Sequence, residues 1–434
     1  MEYIDLKIEK MNLGGQGIGY INNKVCFVDF VIPGEKVRVE IVTEKKDYDV
    51  GRCVEILESS PARIEPLCPV YKICGGCHFQ HIEYKSQVQI KKDVLIDTLR
   101  HIGRINSSDV KIHYSEPWHY RNRAQLPVQK KDGIKIGYFK KGTHDVVEHD
   151  LCYINQREIN DVIMILKSRI KDSDVRIYDE IKHRGNLRHI IIKRGVRTNQ
   201  IFLTFVTKEN FLPKRVYDGL DKEIPGLVGI CLNINDKKTN RILGEKNILL
   251  VGTEVYEEIV DGKRFQIGPI SFFQINIPVF ENIIQKIKQE VQGSYLVDLY
   301  AGVGVISICV AQLFKNVVAI EENPLSVKEG IKNACLNDTE NIEFIQGMVE
   351  KKFNKIKRCD TLILDPPRKG VGEELIKKIT KIGAKKIIYL SCNPATLARD
   401  ANLIIKDGYN IKGLYLFDMF PQTYHIESLM VFEK

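Results

Sequence analysis

The second half of the chain alternates short apolar runs with amphipathic stretches, and this rhythm constrains the fold more than any other feature. From about Phe272 onward, Tyr295-Leu296-Val297-Asp298-Leu299, Val317-Val318-Ala319-Ile320, Thr361-Leu362-Ile363-Leu364 and Lys386-Ile387-Ile388-Tyr389-Leu390 recur between helical segments. Strands buried on both faces are apolar throughout, so the pattern predicts a parallel sheet with helices on both sides. Such sheets bind ligands at the carboxyl ends of their strands, and here those ends carry the polar residues of interest.

The first run leads into Tyr300-Ala301-Gly302-Val303-Gly304, a glycine turn before a helix. Glycine lets backbone pass close beneath a ligand. Gly-x-Gly alone is weak, and the missing third glycine disfavours a nicotinamide dinucleotide. The second run ends in Glu321, placed to accept hydrogen bonds from both ribose hydroxyls of a nucleoside. Asp298, the glycine turn and Glu321 together form the pattern of S-adenosylmethionine-dependent methyltransferases. The third run enters Asp365-Pro366-Pro367-Arg368, where two prolines stiffen the backbone under the Asp365 carboxylate. Arginine stands where amino-methylating enzymes carry an aromatic residue, which disfavours that chemistry.

The fourth run ends in Ser391-Cys392-Asn393-Pro394, and the final strand opens with His425-Ile426-Glu427-Ser428. A thiol at one strand end and a carboxylate on another suggest covalent catalysis, in which a nucleophile attacks and a base later removes a proton.

At 434 residues, 44% hydrophobic and 28% charged, the chain has the composition of a soluble protein of two or three domains. No apolar stretch approaches the roughly 18 residues of a membrane span, and the first residues lack a signal-peptide pattern. A cytoplasmic location without membrane contact is expected. Eleven cysteines in such a chain should be reduced, so clustered ones suggest metal or catalytic sites. Cys231, Cys309, Cys335 and Cys359 are expected to be small core residues.

The net charge of +9 says little alone, but between Glu83 and Lys141 there are 13 Lys plus Arg against 6 Asp plus Glu, interleaved with Tyr114, Trp118, Tyr120, Tyr138 and Phe139. Cations beside aromatics suit phosphates and unpaired bases of a nucleic acid; a solvated face is the alternative. Residues 1–58 predict about five short strands with glycine turns, a small OB-like barrel of the kind that holds single-stranded nucleic acid. Cys68, Cys74 and Cys77 then form a C-x5-C-x2-C array, followed by helices expected over 83–104 and 155–171.

In order along the chain, these motifs resemble the RNA 5-methyluridine methyltransferases of the RumA and TrmA type. The likeness includes Tyr120-Arg121-Asn122-Arg123, Leu187-Arg188-His189, Asn233-Ile234-Asn235 and Phe272-Phe273-Gln274-Ile275-Asn276. Barrel and cysteine array together put the chain nearer the 23S ribosomal RNA branch. The resemblance implies a multidomain α/β protein: a TRAM barrel over 1–58, a central α+β domain with a four-cysteine cluster over 59–270, and a Rossmann-like S-adenosylmethionine-dependent methyltransferase domain over 271–434. It implies Cys392 as nucleophile and Glu427 as base, with Gln274, Tyr300, Glu321 and Asp365 contacting S-adenosylmethionine beside Asp298 and Gly302. Cys68, Cys74, Cys77 and Cys152 match four iron-sulfur ligands; spacing alone suits zinc as well, and the family favours [4Fe-4S]. RNA is the implied partner, expected to be 23S ribosomal RNA, with Phe272, Arg121 and Arg123 as its contacts and no obligate protein partner. Either Phe272 or Phe273 could stack on the base.

Overall fold

The computed structural model describes residues 3–434. At the amino-terminal end, six strands wrap an apolar core of Leu6, Ile8, Cys26, Val28, Val31, Val37 and Val39. The strand beyond the five expected is Lys10–Met11, too short to leave an alternating pattern. Glu35, wholly buried, anchors the barrel to the segment that follows by accepting from Arg63 Nε at 2.6 Å and Nη2 at 2.7 Å.

The central region is built on a seven-stranded sheet, antiparallel except for the parallel pair Ile201–Thr207 and Leu227–Ile234. The helix Arg157–Lys171 covers one face with Ile159, Val162, Ile163, Leu166 and Ile170.

The carboxyl-terminal sheet has the expected parallel core. Its strand order is Ile342–Gln346, Asn316–Glu321, Tyr295–Leu299, Thr361–Leu364, Lys386–Ser391, Glu427–Glu433, Asn410–Phe417 and Lys111–His113. The first five are mutually parallel, and Glu427–Glu433 inserts antiparallel beside Lys386–Ser391. The far edge is Lys111–His113, which pairs in parallel with Asn410–Phe417.

That edge strand alters the expected partition at residue 270. The segment 79–113, assigned from sequence to the central domain, packs into the carboxyl-terminal core: Phe79, Ile82, Val88, Leu95, Leu99 and Val110 share one apolar cluster with Leu299, Ile387, Leu397 and Ile404. The helix runs from Tyr84 to His101, with Glu83 accepting from Ser86 N at 3.1 Å. Its 3.6-residue period shows that one face is buried, but period carries no information on which surface covers that face. The covering surface is the helix Pro394–Lys406, which starts just beyond Cys392. No helix among the described residues is long and apolar enough to cross a membrane.

Candidate active site

The glycine turn is bent where the sequence places it. Tyr300, Gly302 and Gly304 all have left-handed backbones, with φ of 66°, 56° and 79°. A side chain at Gly304 would strike Phe344 Cζ at 2.6 Å, whereas one at Gly302 would meet nothing within 4 Å. Space is therefore open above Gly302. Glu321 closes the turn, accepting from Gly302 N at 2.9 Å and Asn323 N at 2.7 Å. Asp298 is buried and accepts from Ser307 Oγ, leaving its Oδ1 without a partner; the enclosed Tyr300 hydroxyl is unpartnered too. Orphaned polar atoms beside open space fit a polar ligand at this edge of the sheet.

Cys392 and Glu427 come together through strand pairing. Ser391 lies opposite Ser428 in the antiparallel register, so Cys392, just past the end of one strand, stands near Glu427, the first residue of the other, and the charge of Glu427 acts on the thiol. Ser428 Oγ donates to Ser391 O at 3.2 Å. The turn at Cys392 is held by Asn393, which accepts from Ala395 N at 3.1 Å and donates to Arg368 O at 2.9 Å. Cys392 opens into a cavity of about 180 Å³ lined also by Leu13 of the barrel, Arg368, Tyr424 and His425.

Electrostatics tie this thiol to two carboxyl groups and one of these to a third. Burial pushes Asp298 up to about 7 against its bond from Ser307. Asp365 rises to about 7 through burial and then the charge of Asp298. Glu427 lies well above the carboxylate range, from burial first and Asp365 second. Cys392 is raised to about 11 by burial, then by Glu427 and Asp365, while Arg368 opposes the shift. Four groups far apart in sequence thus form one coupled site, short of positive charge.

The two phenylalanines are distinct. Phe273 is 5% exposed and packs 6.1 Å from Phe265 between ring centres, whereas Phe272 is 65% exposed. Phe272 is the ring available for stacking. Gln274 lies in the same loop and its carbonyl accepts from Asn122 Nδ2 at 3.1 Å. Sequence reasoning missed what pins this loop: Lys193, fully buried, donates to Gly268 O at 2.8 Å and Ser271 O at 2.9 Å. The available signal was a lysine at the end of Ile190-Ile191-Ile192, an apolar strand where a cation needs a partner.

Cys68, Cys74, Cys77 and Cys152 line one cavity with Gln80, Arg121, Tyr138 and His149. Their backbones are anchored: Cys68 N donates to Gln80 Oε1 at 3.1 Å, and Asn160 bonds both N and O of Cys152 at 3.1 Å. None is in a disulfide. Among the described residues, no three His, Cys, Asp or Glu side chains form a group able to hold a metal ion.

Arg121, expected to contact RNA, lines the cysteine cavity and donates from Nε to Arg123 O at 2.8 Å. Arg123 heads a central strand, half-buried, with its Nε unpartnered. Composition counted these cations but could not tell which way their strand faced. Cys335, expected in the core, is exposed at the end of the helix Pro324–Leu336.

The contrast between the two rings has a direct test. Phe273→Ala should lower stability by about 3–5 kcal/mol through the cavity left behind, and Phe272→Ala should change it by less than about 0.5 kcal/mol. Urea denaturation of both variants measures this; equal losses would mean that Phe272 also packs in the core.

Comparison with known proteins agrees with the geometry. A family model described as tRNA (Uracil-5-)-methyltransferase matches residues 245–434, and a TRAM domain model matches residues 2–52. An uncharacterized RNA methyltransferase of Clostridium acetobutylicum is 36% identical over 445 residues, covering 99% of this chain and 96% of the relative. Another from Halalkalibacterium halodurans is 35% identical over 444 residues, covering 100% and 97%. Among solved structures, the Pyrococcus abyssi tRNA (uracil-54, C5)-methyltransferase in complex with S-adenosyl-L-homocysteine superposes with a TM-score of 0.80 at 28% identity, covering 99% of this chain and 100% of that one. An amino-terminal TRAM domain, an S-adenosylmethionine-dependent methyltransferase fold and relatives matched along their whole length lead to one conclusion: the chain belongs to the RNA uracil-5-methyltransferase family.

Proposed function

We propose that this protein methylates carbon-5 of a uridine in 23S ribosomal RNA through a covalent adduct between Cys392 and carbon-6. The observation that carries this reading is the placement of Cys392 and Glu427 at adjoining ends of paired strands, with Asp365 acting on both. Carbon-5 of uracil is too weak a nucleophile to attack a sulfonium methyl. Addition of the Cys392 thiolate forms an S–C6 bond and pushes the ring electrons onto carbon-5 as an enolate. Carbon-5 then takes the methyl group from S-adenosylmethionine in line, and S-adenosylhomocysteine leaves. Glu427 removes the carbon-5 proton, the electron pair reforms the ring double bond, and the S–C6 bond breaks. Burial and Asp365 make the Glu427 carboxylate a stronger base than a solvated glutamate, which suits that proton transfer.

Asp298, Tyr300, Gly302, Glu321, Gln274 and Asp365 are the residues proposed to hold S-adenosylmethionine. Its sulfonium is the positive charge that the cluster of buried carboxyls lacks. A cation there favours ionised Asp298 and Asp365 and offsets the field that makes the Cys392 thiolate scarce.

A uridine inside a helix hides the face that the thiol attacks, so the target is taken from a loop or flipped out, with Phe272 stacking on it. Beside the Cys392 cavity, a cleft shares Tyr424 and His425 and is lined by Lys140, Lys141 and His144. This cleft offers the cations that Arg121 does not. Ribosomal RNA is preferred because barrel and cysteine array occur together, as in that branch; the Pyrococcus enzyme, which acts on uracil-54 of tRNA, favours transfer RNA as the second reading.

The four cysteines are proposed to hold a [4Fe-4S] cluster. One zinc ion is the alternative that four thiolates also suit. The four thiols line a common space, and a cluster held there would supply a rigid link between the loop 68–77 and the segment at Cys152.

Four measurements test these readings. Cys392→Ala should abolish methylation while keeping S-adenosylmethionine affinity within about threefold, and Glu427→Gln should accumulate a methylated protein–RNA adduct that survives denaturing gels. With 5-fluorouridine transcripts, wild-type protein should be trapped on 23S ribosomal RNA; trapping on transfer RNA alone would select the second reading, and turnover by Cys392→Ala would rule out the covalent route. For the cofactor, a neutral Asp365 or Asp298 must release its proton when a cation binds, so affinity for S-adenosylmethionine should rise as pH rises through about 7, by up to about tenfold per pH unit for each proton released. S-adenosylhomocysteine, neutral at sulfur, should show a shallower slope by calorimetry, and equal slopes would disprove the charge argument. Anaerobically purified protein should carry about four irons per chain; one zinc and no iron would overturn the cluster.

A further inference from the structure

We propose that Gln422 is a positioning residue for Glu427, the last fixed point on the segment that delivers the base to Cys392. The inference rests on reading Glu427 as the base. Phe417 and Glu427 are paired across adjacent strands, so everything between them is one returning loop whose shape decides where Glu427 starts.

The first part of that loop is held from other regions of the chain. Asp418 accepts from Lys91 Nζ at 2.6 Å and from Tyr84 Oη at 2.9 Å. Lys91 also donates to Phe420 O at 3.0 Å, and Tyr120 Oη donates to Pro421 O at 3.1 Å. Gln422 comes next and is the most heavily used residue of the loop. It is 2% exposed and has φ of 67°, a conformation that side chains other than glycine rarely adopt. Its side chain and backbone form a reciprocal pair with Gln87: Gln87 Nε2 donates to Gln422 Oε1 at 2.9 Å, and Gln422 N donates to Gln87 Oε1 at 3.1 Å. Its carbonyl accepts from His78 N at 2.8 Å and Phe79 N at 3.0 Å, the two residues after Cys77.

One residue therefore joins three parts of the molecule: the helix Tyr84–His101, the end of the cysteine loop and the catalytic segment. An unfavourable backbone state persists where surroundings over-determine it, and such states gather at functional sites. Here its effect is directional. The left-handed turn at Gln422 sends the chain back so that Tyr424 and His425 line the Cys392 cavity, with the Tyr424 ring 4.5 Å from His78, before Ile426 enters the core and Glu427 opens the strand. Past Gln422, the side-chain ties before Glu427 stay within the loop, from Thr423 Oγ1 to Phe420 O at 2.8 Å and from His425 N to Thr423 Oγ1 at 3.2 Å. Misplacing the base by a fraction of a hydrogen-bond length would slow proton removal from carbon-5 without touching thiol addition.

The test separates the two halves of the reaction. Under single turnover, Gln422→Leu should form the methylated adduct within about threefold of the wild-type rate and release it at least about tenfold more slowly, with S-adenosylmethionine affinity within about twofold. Gln87→Leu breaks the same pair from the helix, leaves the strained residue in place, and should show the same imbalance; it carries the test should Gln422→Leu not fold. Equal slowing of formation and release, or wild-type release in both folded variants, would overturn the positioning role. Glu427→Gln run alongside reports on the underlying reading. If that variant accumulates adduct while the glutamine variants do not, only the inference falls; if it accumulates none, Glu427 is not the base and the inference falls with it.

Discussion

The antiparallel register between Lys386–Ser391 and Glu427–Glu433 is the constraint on which the rest of the site depends. Side chains alternate faces along a strand, so a slip of one residue would send Glu427 to the opposite side of the sheet and leave Cys392 without its partner. Both strands are buried on both faces, Met430 and Phe432 entering one apolar cluster and Leu429 and Val431 the other, and the register pairs them with Ile387 to Leu390. Inserting the last strand beside a parallel core also desolvates Glu427, and this shift in basicity comes from burial more than from any neighbouring charge.

Buried polar ties carry distant segments to that register. Lys91 and Asp418 are both almost fully enclosed, and a buried ion pair is held in place less by its own stability than by the penalty of separating its members. Lys193 plays a similar part for the loop of Phe272 and Gln274, with two carbonyls in place of a carboxylate. The amino-terminal barrel is brought in by close packing, since Gly15 lies where any side chain would strike Tyr424 Cβ at 2.8 Å. Barrel, cysteine loop and central helix thus converge on one short stretch, residues 418–426, and any displacement of them is felt at Glu427.

Much of this was legible in the chain itself, for physical reasons. Apolar runs long enough to span a sheet can only be buried strands, so the parallel core, the glycine turn and the strand-end positions of Asp298, Glu321, Asp365 and Cys392 followed from local pattern. Glycine spacing foretold the turn after Leu299, and the alternation in residues 1–58 foretold a barrel. Tertiary structure alone decided which surfaces meet. Periodicity could show that the helix Tyr84–His101 has a buried face but not that this face lies against the helix beyond Cys392, because pairing of faces is a non-local matter of shape. Composition could count Arg121 among the cations but not reveal that it points at four cysteines. Phe272 and Phe273 are adjacent and chemically identical, and only the alternation of chain direction in a folded loop buries one and exposes the other. The same holds for Gln422, an ordinary residue in sequence, whose weight comes from a left-handed backbone and from hydrogen bonds to residues more than three hundred positions away.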